Sequence, residues 1–195
     1  MAAGRGRRYG GSIRKPYLKV AGRPLLWYSL TTFLRHPAVQ GVVIVSQPLD
    51  MARARALSEG SKKPVIVTAG GAERQDSVKN GLDRLPAGTE WVAIHDAARP
   101  LLTVAQLTAV LQGAQRDGAA ILAVPVPDTT KLENGKGRVL KTVPRKGLWL
   151  AQTPQVFKVE KLKQAIQKYG NEEVTDDAMW MERMGRPVKL VPTNG

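Results

Sequence analysis

The chain has 195 residues, the size of one domain with a single hydrophobic core. It contains no cysteine and two histidines, which excludes disulfides, thiolate nucleophiles and metal sites built from cysteine or several histidines. Lysine and arginine total 30 against 16 aspartate and glutamate, and the net charge of +14 favours a polyanionic partner. That partner can be nucleic acid, an acidic membrane surface or a small substrate that carries several phosphates.

The chain begins with a basic, glycine-rich segment that contains Gly4, Gly6, Arg8 and Lys15, and its first acidic residue is Asp50. Glycines let backbone N–H groups approach an anion closely, and the two cations can neutralise phosphate charge. The same composition, with no strand in front of it, is also typical of a disordered basic tail. The residues of this segment alone leave both interpretations open.

From there, short β-branched runs alternate with longer amphipathic stretches. This alternation predicts a single α/β domain over residues 1–195, with a mostly parallel sheet and helices on both faces. The predicted strands span 41–48, 64–71, 91–96, 118–126 and 187–192. The predicted helices span 24–36, 72–82, 103–118 and 159–169, and Thr103 is the expected N-cap of the third. Ligands of such sheets bind at the carboxyl ends of the strands.

Two segments at predicted strand ends suit phosphate chemistry. In HDAARP, Asp96 follows a buried strand and Arg99 comes three residues later. A carboxylate there can hold a metal ion that bridges phosphates, and the arginine can clamp a phosphate, although an Asp–Arg pair that caps the turn is the simpler alternative. The other segment, 69–78, joins a glycine turn to a helix start, which suits an anion or a base. His95 is expected to be a hydrogen-bonded core residue.

The last third of the chain begins with a segment that departs from the alternation. Residues 126–147 place the turn residues NGKG between two extended, polar flanks, which predicts a projecting β-hairpin. Such an arm can reach a partner subunit or can be a surface loop. Further on, Thr175 is the simplest N-cap of a short helix, with Asp176 and Asp177 favourable to its dipole.

The chain resembles one family across nearly its whole length, the 2-C-methyl-D-erythritol 4-phosphate cytidylyltransferases. The resemblance is carried by the ordered segments AAGRGRR, KPYL, GGAERQDSV, HDAARP, PVPDTTK, TVPRKGLWLAQTPQVF and VTDDA. It implies a Rossmann-like domain and a homodimer built by the 126–147 arm. It also implies transfer of CMP from CTP to methylerythritol phosphate, with Mg²⁺ and release of pyrophosphate, in non-mevalonate isoprenoid synthesis. We therefore expect a cytoplasmic protein that binds neither nucleic acid nor membrane.

The resemblance implies site residues as well. Arg8 and Lys15 would stabilise the transition state. The nucleotide would contact Ala2, Ala3, Gly4, Gly6, Gly71, Ala72, Ser77 and Ala97. The sugar-phosphate side would be formed by Asp96, Arg99, Thr129, Arg145, Thr153 and Thr175. Within that set Asp96 would hold Mg²⁺, and Thr129 and Arg145 would serve the partner subunit's site.

This chemistry needs no cysteine or histidine catalyst. A phosphate monoester is largely dianionic at neutral pH, so it can attack the α-phosphorus of CTP without a general base. The reaction needs in-line positioning and neutralisation of the negative charge that grows on the phosphates. Cationic side chains, backbone N–H groups and one metal ion supply both, which agrees with the residues present.

The chain departs from the family pattern at both ends. Family members begin with an apolar strand that runs into Pro-Ala-Ala-Gly, and here Met1 stands at the proline position. The family also continues past the last strand into an Asn-x-Lys-x-Thr segment whose lysine positions the substrate, whereas this sequence ends at VPTNG. We therefore expect a chain truncated at both ends, less stable and less active than a version extended at both ends.

Three alternatives stay open. The first is a ribitol 5-phosphate cytidylyltransferase of the same fold, which would use Asp96, Arg99, Thr129 and Arg145 in similar ways. The second is a non-catalytic nucleic-acid binder, suggested by the net charge but not by any recognised motif in the sequence. The third is an inactive homologue that keeps the dimer arm.

Overall fold

The computed structural model describes residues 1–4, 13–170 and 172–193. The strands are β1 (Lys19–Val20), β2 (Arg23–Pro24), β3 (Val42–Ser46), β4 (Val65–Ala69), β5 (Trp91–Ile94), β6 (Ala119–Pro125), β7 (Thr130–Glu133), β8 (Val139–Val143), β9 (Trp149–Lys158) and β10 (Lys189–Pro192). The helices are α1 (Leu25–Arg35), α2 (Met51–Ala56), α3 (Arg74–Leu82), α4 (Val104–Asp117), α5 (Val159–Tyr169) and α6 (Ala178–Arg183). Within this part of the chain, none of the helices has the length and apolarity that crossing a bilayer requires.

Four strands form the main sheet in the order β10-β6-β9-β5. Strand β10 runs parallel to β6, whereas β9 runs antiparallel to β6 and β5. A second sheet pairs β3 with β4 in parallel. The predicted α/β class is confirmed, with a mixed main sheet. Strand β9 is antiparallel because it follows the β7–β8 hairpin directly, without the helical crossover that a parallel neighbour needs.

Helices cover both faces of the main sheet because side chains alternate along its strands. In β6, Ala119 and Ile121 pack on the face that α3, α5 and α6 cover. Ala120 and Leu122 point to the other face, where they pack against α4 and against Phe33 of α1. The core therefore lies in two layers, one on each side of the sheet.

The ends of two helices test the expected caps. Thr103 caps α4 as expected, since its hydroxyl oxygen accepts a backbone N–H of the first turn at 3.2 Å. At α6 the expected cap is wrong, because Asp177, not Thr175, is the N-cap residue. The side chain of Asp176 accepts the Met179 N–H at 3.2 Å, which leaves the Asp177 carboxylate available for another partner.

The predicted hairpin is formed by β7 and β8, which pair antiparallel. Its turn is stabilised by the Asn134 side chain, whose Oδ1 atom accepts the Lys136 N–H at 3.0 Å. Three apolar side chains of the hairpin lie on its surface: Leu132, Val139 and Leu140 are 43%, 63% and 61% exposed.

The first residues of the chain join the two sheets. The Ala2 N–H donates to the Val45 carbonyl at 2.7 Å, and the Ala97 N–H donates to the Met1 carbonyl at 2.9 Å. Ala2 thereby pairs in parallel with Ser46 of β3. Beyond Met1, a cavity of about 630 Å³ lies between β3 and β5. Its apolar lining includes Leu30, Phe33, Val42, Ile44, Leu82 and Trp91.

Candidate active site

Three turns meet beside β3, β4 and β5. The first is Met1–Gly4, where Ala2 and Ala3 are buried and Gly4 is exposed. The second follows β4, where a β-carbon at Gly70 would collide with the β-carbon of Ala3. The third follows β5 and is tied to the first through the Ala97 N–H and the Met1 carbonyl. The expected nucleotide contacts in these turns are therefore brought together.

The turn after β4 is tight enough to require glycine. A β-carbon at Gly71 would collide with the Asp76 side chain. The Gly71 N–H donates to Ser77 Oγ at 3.0 Å, and the Ser77 hydroxyl donates to the Glu73 carbonyl at 3.1 Å. Ser77 is buried and Ala72 is exposed. Ser77 therefore shapes the turn from within by holding the Gly71 N–H, while Ala72 lies on its exposed side.

The turn after β5 carries a carboxylate between two arginines. Asp96 Oδ1 accepts from Arg74 Nη1 at 2.8 Å, and Oδ2 accepts from Arg99 Nε at 3.4 Å. The pairing of Asp96 with Arg99, the simpler alternative from the sequence, is thus present. Burial alone would raise the pKa of Asp96, but the Arg74 guanidinium and its hydrogen bond outweigh burial and hold that pKa below its usual range.

Arg74 and Asp177 adjoin the turn after β5, although no local sequence pattern predicts that they meet. Arg74 Nη2 donates to Asp177 Oδ2 at 2.7 Å, so one guanidinium bridges Asp177 and Asp96. The Asp177 side chain is 1% exposed, and burial raises its pKa. The two residues are 103 positions apart, and the available signal is only an arginine in GGAER and two aspartates in TDDA.

His95 and Thr153 lie beneath the turn after β5. The Asp96 N–H donates to Thr153 Oγ1 at 3.1 Å, and the same oxygen lies 3.0 Å from His95 Nδ1. His95 Nε2 lies 3.1 Å from the Arg99 carbonyl oxygen. Burial lowers the pKa of His95 to about 4. The expectation of a hydrogen-bonded core histidine is confirmed.

Lys15 is exposed at the start of a short 3₁₀ turn, Lys15–Tyr17, which two buried contacts fix. The Tyr17 hydroxyl lies 2.7 Å from Ser46 Oγ, and Arg14 Nη1 donates to Asp50 Oδ2 at 2.6 Å. The first acidic residue of the chain is therefore a buried anchor for its basic N-terminal segment. Two further expected phosphate-loop residues lie outside the described residues, namely Gly6 and Arg8.

The remaining expected residues lie elsewhere on the surface. Thr129 precedes β7 and Arg145 follows β8, where Arg145 Nη1 donates to the Pro127 carbonyl. Thr175 is exposed and its hydroxyl donates to Met179 Sδ at 3.0 Å. Among residues 1–4, 13–170 and 172–193, no hydrogen bond links Thr129, Arg145 or Thr175 to the turn after β5.

The donor atoms at this turn fit a magnesium ion that is shared with phosphates. The described part of the chain contains no group of three or more metal-ligating side chains. Mg²⁺ in nucleotide enzymes, however, is commonly held by one or two carboxylates together with substrate phosphates. Asp96 Oδ2 is suitable because, among the residues that the structure describes, its one side-chain contact is the 3.4 Å contact with Arg99. Arg74 and Arg99 add positive charge, which the phosphates would have to balance.

Comparison with known proteins gives consistent matches. A family described as 2-C-methyl-D-erythritol 4-phosphate cytidylyltransferase matches residues 1–195. The protein of that name from Desulforamulus reducens is 43% identical, over 97% of this chain and 83% of the relative. The one from Synechocystis is 42% identical, over 98% and 85%.

Solved structures agree with the sequence matches. The 4-diphosphocytidyl-2C-methyl-D-erythritol synthase from Anaerococcus prevotii superposes with a TM-score of 0.87 at 28% identity, over 98% of this chain and 83% of that one. The 2-C-methyl-D-erythritol 4-phosphate cytidylyltransferase from Thermus thermophilus superposes with a TM-score of 0.77 at 34% identity, over 93% and 84%. The likeness therefore covers both sequence and fold.

Proposed function

The chain belongs to the 2-C-methyl-D-erythritol 4-phosphate cytidylyltransferase family and is a nucleotidyltransferase, and from this premise we propose how its residues carry the reaction. The chain transfers CMP from CTP to 2-C-methyl-D-erythritol 4-phosphate and releases pyrophosphate, a step of non-mevalonate isoprenoid synthesis. The observation that carries the proposal is the meeting of Met1–Gly4, the glycine turn after β4 and the Asp96 turn after β5.

CTP binds at this meeting point. Its contacts are Ala2, Ala3, Gly4, Gly71, Ala72, Ser77 and Ala97, with Gly6 and Arg8 in the segment outside the described residues. The close packing of Ala3 on Gly70 supports this role, because small side chains let the turns approach each other and a ligand closely. The exposed Lys15 faces solvent from a rigid turn, which suits a cation that reaches the triphosphate.

The transfer is an in-line displacement at the α-phosphorus. A phosphate oxygen of methylerythritol phosphate forms the new bond to phosphorus, and the bond from phosphorus to the oxygen that bridges the α- and β-phosphates breaks. Pyrophosphate leaves with that electron pair. Arg99 binds the phosphate of the acceptor, while Lys15 and Arg8 stabilise the charge that grows on the phosphates. No side chain has to remove a proton, since the acceptor phosphate is largely dianionic.

Asp96 is the residue that would hold Mg²⁺, through Oδ2. The ion, when bound, would neutralise charge on the phosphates. Arg74 donates to the other carboxylate oxygen, Oδ1, at 2.8 Å, so Oδ2 is the oxygen that would bind the ion.

The hairpin extends this proposal to a homodimer. Its exposed Leu132, Val139 and Leu140 supply apolar side chains on both faces of the hairpin, which a second copy of the chain can cover. Thr129 and Arg145, at the base of the hairpin, would then serve the partner subunit's site, and Thr175 would lie near the substrate. We place the protein in the cytoplasm, where its substrates are small molecules and not nucleic acid or membrane.

A pyrophosphate-release assay tests the reaction. With CTP, Mg²⁺ and methylerythritol phosphate, the chain is expected to release pyrophosphate, and Lys15→Ala is expected to lower kcat by about 100-fold or more because a cation at the phosphates is lost. The matched control is Lys19→Ala, which removes an exposed lysine of β1 and should change kcat by no more than about twofold.

Other substrates decide between the proposal and its alternative. Faster pyrophosphate release with ribitol 5-phosphate than with methylerythritol phosphate would show that ribitol 5-phosphate is the acceptor substrate. Absence of release with either acceptor would contradict the proposed function. Equal losses in Lys15→Ala and Lys19→Ala would contradict the role of Lys15.

A further inference from the structure

Beneath the turn after β5 lies a set of hydrogen bonds whose directions follow from the chemistry of the groups. The Arg99 carbonyl oxygen can only accept, so the His95 Nε2 atom 3.1 Å away carries a hydrogen. A neutral imidazole has a hydrogen on one nitrogen only, so Nδ1 of His95 is an acceptor. The Thr153 hydroxyl, 3.0 Å from Nδ1, therefore donates to it.

The second contact of Thr153 agrees with this direction. Its hydroxyl oxygen accepts the Asp96 backbone N–H at 3.1 Å. The hydrogens therefore point from Asp96 to Thr153, from Thr153 to His95, and from His95 to Arg99. The Arg99 N–H donates to the Asp96 carbonyl at 3.0 Å and closes the ring. Each donor in this ring of four residues meets one acceptor.

Burial separates the supporting residues from the residues that they support. His95 and Thr153 are each 7% exposed. The side chains of Asp96 and Arg99 are 32% and 44% exposed, at the open side of the turn. Because Thr153 lies in β9 and His95 follows β5, the ring fastens the turn to the main sheet. The ring bonds reach the backbone of Asp96 and Arg99, so they fix the points from which the two charged side chains extend before a substrate binds.

We propose that His95 and Thr153 are positioning residues for CMP transfer, which hold the backbone of Asp96 and Arg99 and thereby place the carboxylate and the guanidinium where the reaction uses them. This inference rests on the proposed function. It gives Thr153 a role behind the turn, in addition to the place near the substrate that the family resemblance implies. It also gives His95 a role in which the imidazole neither takes nor gives a proton during the reaction.

The imidazole spectrum tests whether the ring exists. The chain contains two histidines, so labelling with ¹⁵N-histidine gives two imidazoles, and a His36→Gln variant identifies the signals of His95. In the full chain at pH 7.5 without substrate, we expect His95 as the neutral Nε2–H tautomer with an unprotonated Nδ1. An Nδ1–H tautomer would overturn the proposal.

Variants of Thr153 test what the ring does. Thr153→Val keeps the shape but removes the hydroxyl, and we expect it to shift the His95 Nδ1 signal and to lower kcat about 10- to 100-fold. Thr153→Ser keeps the hydroxyl and should preserve the spectrum and restore kcat to within about threefold. A Thr153→Val variant that raises KM with kcat unchanged would overturn the proposal in favour of direct contact with the substrate.

A double variant tests whether the two residues act together. We expect His95→Asn to lower kcat about as much as Thr153→Val, and the double variant to lose no more than either single variant, because both break the same ring. Losses that multiply would overturn the proposal. If Thr153→Val does not fold, the proposal is still tested by the imidazole spectrum of the parent chain and by the kcat values of His95→Asn and Thr153→Ser. A parent chain without CMP transfer would contradict the proposed function, whereas its imidazole spectrum would still show whether the ring exists.

Discussion

Arg74 shows how a single side chain can organise the proposed site. Its guanidinium bridges the half-buried Asp96 and the fully buried Asp177, at 2.8 and 2.7 Å. Burial lowers the pKa of an arginine, but the two carboxylates outweigh that effect and raise the pKa of Arg74, so the bridge stays charged. Asp177 thereby influences Asp96, in the turn after β5, through Arg74 and without a direct contact.

This bridge gives a prediction for stability. Asp177→Asn leaves the half-buried Arg74 guanidinium with Asp96 as its one remaining acidic partner among the described residues, so we expect the free energy of unfolding to fall by about 2 kcal/mol. Urea denaturation measures the change. The control is Asp128→Asn, an exposed carboxylate before the hairpin, which should change the free energy of unfolding by less than about 0.5 kcal/mol. Similar values for the two variants would show that the bridge contributes little.

At the scale of elements, the β7–β8 hairpin exposes neighbouring apolar side chains to solvent. Val139 and Leu140 are 63% and 61% exposed on neighbouring positions of one strand. Such side chains contribute about 1.5–3 kcal/mol each when they are buried. Burial of these side chains would stabilise the proposed homodimer. Substitutions in the hairpin should therefore weaken the dimer.

The corresponding prediction concerns oligomeric state. In sedimentation experiments the parent chain is expected to be a dimer, and Val139→Lys with Leu140→Lys is expected to weaken the dimer by about 100-fold or more. Its CMP transfer should fall in parallel, since Thr129 and Arg145 are proposed to act across the dimer. Val104→Lys, at a 44% exposed position outside the hairpin, should stay dimeric. A monomeric parent chain would contradict the proposal that the hairpin forms a homodimer.

Most elements could be predicted from sequence because their signals are local. The strand β3 and the helix α4 were recognisable from a β-branched run and from a capped apolar stripe. Helix α2 was not, because its sequence MARARA alternates alanine with arginine and has no apolar stripe. The turns around Gly71 and Asp96 could also be predicted, because each follows a recognisable strand in a short sequence pattern. The bridge from Arg74 to Asp177 was not, since only folding brings positions 103 residues apart together.

At the scale of the whole molecule, the cavity between β3 and β5 stands out. Strand β3 pairs with β4 on one side, and on the other side Ala2 occupies the position opposite Ser46. Continuing that parallel register backwards, residues placed before Met1 would lie opposite Ile44, Val43 and Val42. The cavity of about 630 Å³ has the apolar lining that such an extended segment requires.

A designed extension tests this geometry. Val-Ile-Val placed before Met1 is expected to raise the free energy of unfolding by several kcal/mol, because each new hydrogen bond contributes about 1 kcal/mol and each buried side chain about 2 kcal/mol. Asp-Gly-Asp at the same place is the control and should not stabilise the fold. Equal melting temperatures for the two versions would contradict the register inferred from Ala2.

Met1 and Ala2 connect β3 with the turn after β5 through two backbone hydrogen bonds. The residues that connect the two sheets are the same residues, or direct neighbours of those, that are proposed to hold CTP. A ligand that binds only the folded chain stabilises it by mass action. The supply of CTP in a cell would therefore govern two quantities at once: how often each molecule turns over, and how many molecules stay folded long enough to escape proteolysis.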